Sequence, residues 1–228
     1  MPGAAFFDLD RTLLSRSSSL ALAGAFRQRR LIRRRQLVKA AIAQLLFSRF
    51  GADEVTVHRT AERGMAVLAG VAVEDVREIV ADAMEPVLKP LVFQEALDLA
   101  ATHRARGEGS YIVSGALQEV VEALAAELGL AGAVGSLCGI ADGVYTGRLE
   151  RACYGPEKAV ALRDLAARER IDLKASTAYS DSHTDLSFLE AVGRPVAVNP
   201  DRQLRAIARA RNWHIVRFRT RMPRRHDL

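Results

Sequence analysis

The rhythm of apolar and polar positions divides this chain into three stretches. Ala4 to Phe7 is a four-residue apolar run, too short for a helix and suited to a buried strand. From Ser17-Ser18-Ser19, three hydroxyls able to cap a helix, the pattern turns helical. Leu20-Ala21-Leu22-Ala23 opens it, and Leu31, Leu37, Val38, Ile42, Leu45 and Leu46 recur at helical spacing with arginines on the other side. Phe50-Gly51 reads as a stop and Asp53 as the cap of a further helix. Val73 to Met84 is a third helical stretch, and Pro86 and Pro90 close the block. Residues 15–89 therefore read as helices without strands.

Beyond Leu91 strands and helices alternate. Helices are expected over Val92–Arg106, Gln118–Leu128, Pro156–Arg170, Leu186–Ala191 and Asp201–Arg211. Strands are expected at Tyr111–Val113, Thr177–Tyr179, Pro195–Val198 and His214–Phe218. Asp142-Gly143, between two alternating segments, marks a hairpin over Cys138–Leu149. Strands separated by helices predict an α/β fold with a parallel sheet and right-handed crossovers.

Composition narrows the class. A chain of 228 residues holds one large domain, or one domain with an insertion. The two cysteines, Cys138 and Cys153, have no metal-type spacing and make no disulfide framework, which fits a reducing, cytoplasmic setting. Asp8 and Asp10 fall where an export signal needs apolar residues. The longest apolar stretch, Leu37 to Phe47, is too short to span a bilayer. The net charge of +6 is unevenly spread. From Arg11 to Ala52 there are ten positive charges and no Asp or Glu, and the run Arg27–Arg35 alone carries six arginines.

Candidate chemistry begins where the first strand ends. Asp8, Asp10 and Thr12 stand two positions apart, so as the strand runs out their side chains can crowd one spot. Two carboxylates side by side repel unless a cation or shared proton compensates, which suits a metal-assisted reaction better than a core. In a parallel sheet ligands sit at the carboxyl ends of the strands. Ser114-Gly115, Asp181 and Asp185 also fall at strand ends, and Lys158 lies in the first turn of the helix opened by Pro156. Each has a bland reading, as a cap or a surface residue; their joint placement does not.

Phe7-Asp8-Leu9-Asp10-Arg11-Thr12-Leu13, then Val113-Ser114-Gly115, then Pro156-Glu157-Lys158, then Ser180-Asp181-Ser182-His183-Thr184-Asp185 resemble, in this order, the four motifs of the haloacid dehalogenase-like (HAD) phosphatases. With Gly129-Leu130 and Asp142-Gly143 the chain is most similar to the subfamily IB, phosphoserine-phosphatase-like members. The resemblance implies a Rossmann-like parallel sheet, residues 1–14 and 90–228, with a helical type-one cap, residues 15–89, inserted after the first strand. It implies a Mg²⁺-dependent phosphomonoester phosphatase working through an aspartyl-phosphate on Asp8. Asp10 is then the general acid and base, and Asp8, the Asp10 carbonyl and Asp181 hold Mg²⁺. Thr12, Ser114, the Gly115 amide and Lys158 bind the phosphoryl group, and Asp185 orients Lys158 or a metal-bound water. The substrate is a small phosphorylated metabolite.

Departures from the pattern bear on the substrate. Phosphoserine phosphatases carry a Glu soon after the first motif that pairs with the substrate ammonium; here no acid lies between Asp10 and Asp53. The insert is thus expected to favour anionic substrates over zwitterions, with a phosphoserine phosphatase or a phosphotransferase of the same superfamily as alternatives. A non-enzymatic reading rests on Arg27–Arg35, which suits an anionic membrane surface. Nucleic acid is disfavoured there, because no aromatic residues interleave with the arginines. A signalling receiver shares the acid–hydroxyl–lysine set, but it is shorter and carries its phosphorylated Asp well inside the chain. His183, between Asp181 and Asp185, is a weak candidate for a transition-metal ligand.

Overall fold

A seven-stranded sheet in the order β4-β3-β2-β1-β5-β6-β7 carries everything else in the molecule. The coordinates are a computed structural model, which describes residues 1–29 and 62–223. The strands are β1 (Ala4–Phe7), β2 (Gly109–Leu117), β3 (Gly132–Ala141), β4 (Val144–Arg151), β5 (Thr177–Ser180), β6 (Arg194–Val198) and β7 (His214–Val216). All neighbours pair in parallel except β3 and β4, which form the antiparallel hairpin that Asp142-Gly143 announced. Both turn residues have positive φ, 50° and 78°, as a two-residue turn matched to the strand twist requires.

β1 is central and short, and every one of its residues is buried. Its neighbours place Phe7 opposite Ile112 of β2 and Tyr179 of β5. Alternation then sends Ala5 and Phe7 to one face and Ala4 and Phe6 to the other. The first face is covered by α1 (Ser18–Gln28), α2 (Val73–Ala83), α3 (Gln94–Ala105) and α4 (Gln118–Glu127). The second is covered by α5 (Pro156–Glu169), α6 (Leu186–Glu190) and α7 (Arg202–Ala210). The result is a three-layer α/β/α fold with a buried parallel sheet.

Several boundaries differ from those read in the sequence, each for a local reason. Pro86 and Pro90 do not end the helical block: the chain passes through a π turn, Met84–Leu88, and a 3₁₀ turn, Lys89–Leu91, which contain the two prolines. A proline has no N–H to donate, and a change of helical pitch absorbs the gap. β2 runs on to Leu117, past the expected end at Val113, and its register against β3 shifts between Val113 and Leu117. Ser114 and Gly115 thus sit inside an irregular strand end and not in a loop. Ser17 occupies the N-cap position of α1, but its side chain makes no cap hydrogen bond.

The helix expected over Leu31–Leu46, the stop at Phe50-Gly51 and the Asp53 cap lie outside the described residues, as do Arg30–Arg35. Of that basic run, Arg29 is committed to α2, where it bonds Asp82 at 2.5 Å and approaches Glu78 at 3.6 Å. Leu22 and Phe26 of α1 and Val76 and Val80 of α2 belong to the same buried cluster as Ile112 and Val121. The two chain segments leading into and out of this region lie side by side. Ser15 N donates to Leu91 O at 2.7 Å, Phe93 N donates to Leu13 O at 2.9 Å, and Leu14 bridges Val92. No described helix is long and apolar enough to cross a membrane.

Candidate active site

Asp8 is the first residue past β1, and its amide donates to Tyr179 O at 2.9 Å, the last rung before the strand gives way. The chain then turns sharply: Leu13 N donates to Asp8 O at 3.2 Å and Leu14 N to Leu9 O at 2.8 Å. At the apex Arg11 has φ 65°, a left-handed conformation uncommon for a residue with a side chain. This turn buries Asp8 and Thr12 and leaves Asp10 partly buried. The Thr12 hydroxyl is buried with no hydrogen-bond partner, an oxygen waiting for a ligand.

Lys158 reaches this turn from α5. Gly155, at the N-cap of α5, has φ 56° and ψ −138°, a backbone conformation that only glycine adopts comfortably. One turn later the Lys158 side chain is 2% exposed, and its ammonium lies 2.6 Å from Asp8 Oδ1 and 2.6 Å from Asp185 Oδ2. Ser180 Oγ donates to the same Asp185 oxygen at 2.6 Å. Asp185 stands at the N-cap of α6 but makes no cap bond; its carboxylate is given to Lys158. Ser114 and Asp181 are buried at the ends of β2 and β5. Gly115 is close-packed, since a Cβ there would stand 3.4 Å from Cβ of Tyr154.

Electrostatics follow from burial. Burial raises the Asp8 carboxyl to about 7, with Asp185 and Asp10 adding and Lys158 opposing. Burial raises Asp181 well above the carboxylate range, and the charges of Asp8 and Asp185 push the same way. Burial alone would lower Lys158; Asp185 and Asp8 more than reverse it, so the ammonium is held charged. Asp10 is raised by burial against a 2.8 Å hydrogen bond from the Ser18 amide and the nearby Ser18 and Ser17 hydroxyls. Those two hydroxyls favour the charged form of Asp10 without a formed hydrogen bond.

The expected residues thus divide. Asp8, Lys158 and Asp185 are joined by direct contacts, and Asp10, Thr12, Ser114 and Asp181 are placed around the same strand ends. His183 goes elsewhere, its Nδ1 2.8 Å from Asp201 Oδ2. Cys138 and Cys153 are free and buried. Among the described residues no three His, Cys, Asp or Glu side chains form a metal cage. The sequence reading missed the Ser18 amide, Ser180 and the left-handed Arg11. Only Ser180, the residue before Asp181, carried a visible signal. Burial, then the charge of Glu157 and then that of Glu62 raise the Tyr154 phenol to about 12.

A family model for haloacid dehalogenase-like hydrolases matches residues 5–190, and the chain belongs to that family. It is 44% identical over 216 residues to the "Inhibition of morphological differentiation protein" of Streptomyces azureus, covering 94% of this chain and 78% of that one. It is 42% identical over 215 residues to a probable phosphatase of Mycobacterium tuberculosis, covering 94% and 75%. A phosphoserine phosphatase of the same organism is 33% identical over 223 residues, covering 96% and 72%. Among solved structures, a Bordetella pertussis protein of unknown function superposes with a TM-score of 0.82 at 28% identity, covering 95% and 98%. A phospho-aspartyl intermediate analogue of phosphoserine phosphatase superposes with a TM-score of 0.67 at 19% identity, covering 96% and 94%, a likeness of fold. The chain is an enzyme of the hydrolase class with the fold of the phosphoserine-phosphatase-like members.

Proposed function

We propose that this chain hydrolyses phosphomonoesters of small metabolites through an aspartyl-phosphate on Asp8. The observation that carries this reading is the buried Lys158 ammonium held between Asp8 and Asp185 beside three further oxygen groups, Asp10, Asp181 and Thr12. In the first half-reaction an Asp8 oxygen attacks phosphorus and the ester oxygen leaves, taking a proton from Asp10. The Ser18 amide occupies Oδ1 of Asp10, so Oδ2 is the oxygen that carries this proton. In the second, Asp10 takes a proton from a water that attacks the phosphorus, and Asp8 is released. Thr12, Ser114, the Gly115 amide and Lys158 hold the phosphoryl oxygens, and Lys158 offsets the charge that spreads over them.

The residues present fit a Mg²⁺ ion. Asp8 and Asp181 are buried carboxylates, the charge of Asp8 raises Asp181, and among the described residues one ammonium, Lys158, pairs with both Asp8 and Asp185. An all-oxygen donor set with uncompensated negative charge suits a hard divalent cation. Asp8, Asp181 and the Asp10 carbonyl are the groups that would hold it, and it would supply charge stabilisation at the phosphoryl oxygens. In this reading residues 15–89 form the cap over the site.

A second reading, phosphoserine phosphatase proper, is favoured by the 33% identity to a phosphoserine phosphatase, with Glu62 as the candidate acid of the insert. A substrate ammonium needs such a partner. Kinetic comparison of phosphoserine with 3-phosphoglycerate, in the wild type and Glu62→Gln, separates the two readings. A preference for phosphoserine that Glu62→Gln removes selects the second. The general reading is tested by acid quench during turnover of labelled substrate. It predicts a hydroxylamine-sensitive phosphoprotein in the wild type and none in Asp8→Asn. Label on both variants sinks it.

A further inference from the structure

Arg11 stands out among the residues around the turn. It follows Asp10 directly, in a left-handed conformation that costs an ordinary residue on the order of 1 kcal/mol. The turn buries its other neighbour, Thr12, completely, yet leaves Arg11 exposed. Among the described residues its guanidinium makes no hydrogen bond and no ion pair. It nonetheless stands at the apex of the turn that carries Asp8, Asp10 and Thr12. An unpaired cation held at a strained position beside a catalytic acid is an arrangement the fold itself does not require, since a glycine would relieve the strain.

We infer that Arg11 sets substrate specificity by receiving a carboxylate on the leaving-group side of the phosphomonoester. The inference rests on the phosphatase reading above. Asp10 serves the leaving group, so the residue next to it borders that side and not the phosphoryl pocket. The phosphoryl oxygens already have Lys158, Thr12 and Ser114 assigned to them, and Arg11 is the arginine that the turn places next to Asp10. Guanidinium and carboxylate match in bidentate geometry, which a lysine reproduces only in charge. The Ser17 and Ser18 hydroxyls, both buried without a formed bond, add neutral polar groups next to Asp10.

The test compares 3-phosphoglycerate with glycerol 3-phosphate, which differ only by a carboxylate in place of a hydroxymethyl group. The wild type with Mg²⁺ at fixed ionic strength should favour 3-phosphoglycerate in kcat/KM by about tenfold or more. In Arg11→Gln and in Arg11→Gly, which relieves the backbone strain and keeps the fold, the ratio should fall to about one, mainly through KM; Arg11→Lys should retain part of it. An equal loss on both substrates assigns Arg11 to the phosphoryl group and overturns the inference. So does a wild-type preference for glycerol 3-phosphate. Thermal stabilisation by each compound is read in parallel, because it needs no turnover. A protein that hydrolyses no phosphomonoester but is stabilised by 3-phosphoglycerate in an Arg11-dependent way loses the phosphatase reading and keeps this one. Turnover without any Arg11-dependent discrimination does the reverse.

Discussion

The Ser18 backbone amide donates a 2.8 Å hydrogen bond to Asp10 Oδ1, so the first turn of α1 and the acidic motif form one unit across eight positions of chain. Ser18 is the first residue of α1, where proline is tolerated. Ser18→Pro should therefore remove the amide and keep the helix. A hydrogen bond to a charged group contributes about 1.5–3 kcal/mol, so turnover should fall by about tenfold or more. The bond favours ionised Asp10; without it the Asp10 pKa rises and the basic limb of the pH–rate profile moves to higher pH. Ser18→Ala keeps the amide and loses only the hydroxyl, which also favours the charged form, so it should show a smaller shift in the same direction. An unmoved limb in Ser18→Pro would take Asp10 out of the acid role.

Asp8→Asn should abolish turnover, because an amide oxygen does not attack phosphorus at a useful rate. The variant should remain folded, since Lys158 keeps Asp185 as a partner. Circular dichroism and steady-state kinetics check the two halves. Activity within tenfold of the wild type would remove Asp8 from the nucleophile's role.

Lys158→Met leaves Asp8 and Asp185 buried without their cation. Breaking a buried pair costs about 3–5 kcal/mol. The pH dependence has a definite sign. In the variant the folded-state carboxyls are raised above their unfolded values, so the penalty is full above their folded pKa and is relieved as pH falls through it. Denaturant midpoints at pH 8 and pH 5 should therefore show a smaller gap from wild type at pH 5. A gap that is constant with pH would mean lost packing and not charge.

Chelation should silence the enzyme and Mg²⁺ should restore it. Binding to the folded state also adds stability by mass action, about 2.7 kcal/mol at a hundredfold excess over Kd, so Tm should climb with Mg²⁺. Asp181→Ala should raise the Mg²⁺ needed for half activity and flatten the Tm response. Full activity in the chelator would end the metal-assisted reading.

The alternation of apolar strands and periodic helices made the catalytic core legible in the sequence, because a parallel sheet buried on both faces needs unbroken apolar runs such as Ala4–Phe7. Asp8, Lys158 and Asp185 were legible for the same reason: each is tied to the end of an element whose position periodicity fixes. The contact from Ser18 was not, because a backbone amide leaves no mark in a sequence. The left-handed Arg11 was hidden as well, since glycine would have been the residue to announce it. The strand end at Val113 was placed early because the apolar run stops at Ser114-Gly115, whereas a register shift keeps these residues within the ladder. Where Glu62, beyond the acid-free stretch, comes to lie was not legible either, because it depends on tertiary packing.

The hydrogen bonds from Ser15 to Leu91 and from Phe93 to Leu13 have a consequence for how such a chain can change. Residues 16–90 leave and return side by side, as a ring that is tied to the sheet a second time where Gly70, Val71 and Val73 bond Tyr145 and Gly143. The entropy of closing a ring grows only logarithmically: doubling its circumference adds about 0.6 kcal/mol. Insertions and deletions inside the ring therefore leave the register of β1 against β2 and β5 nearly untouched. The length of the ring can thus be revised by mutation without moving the strand that leads into Asp8.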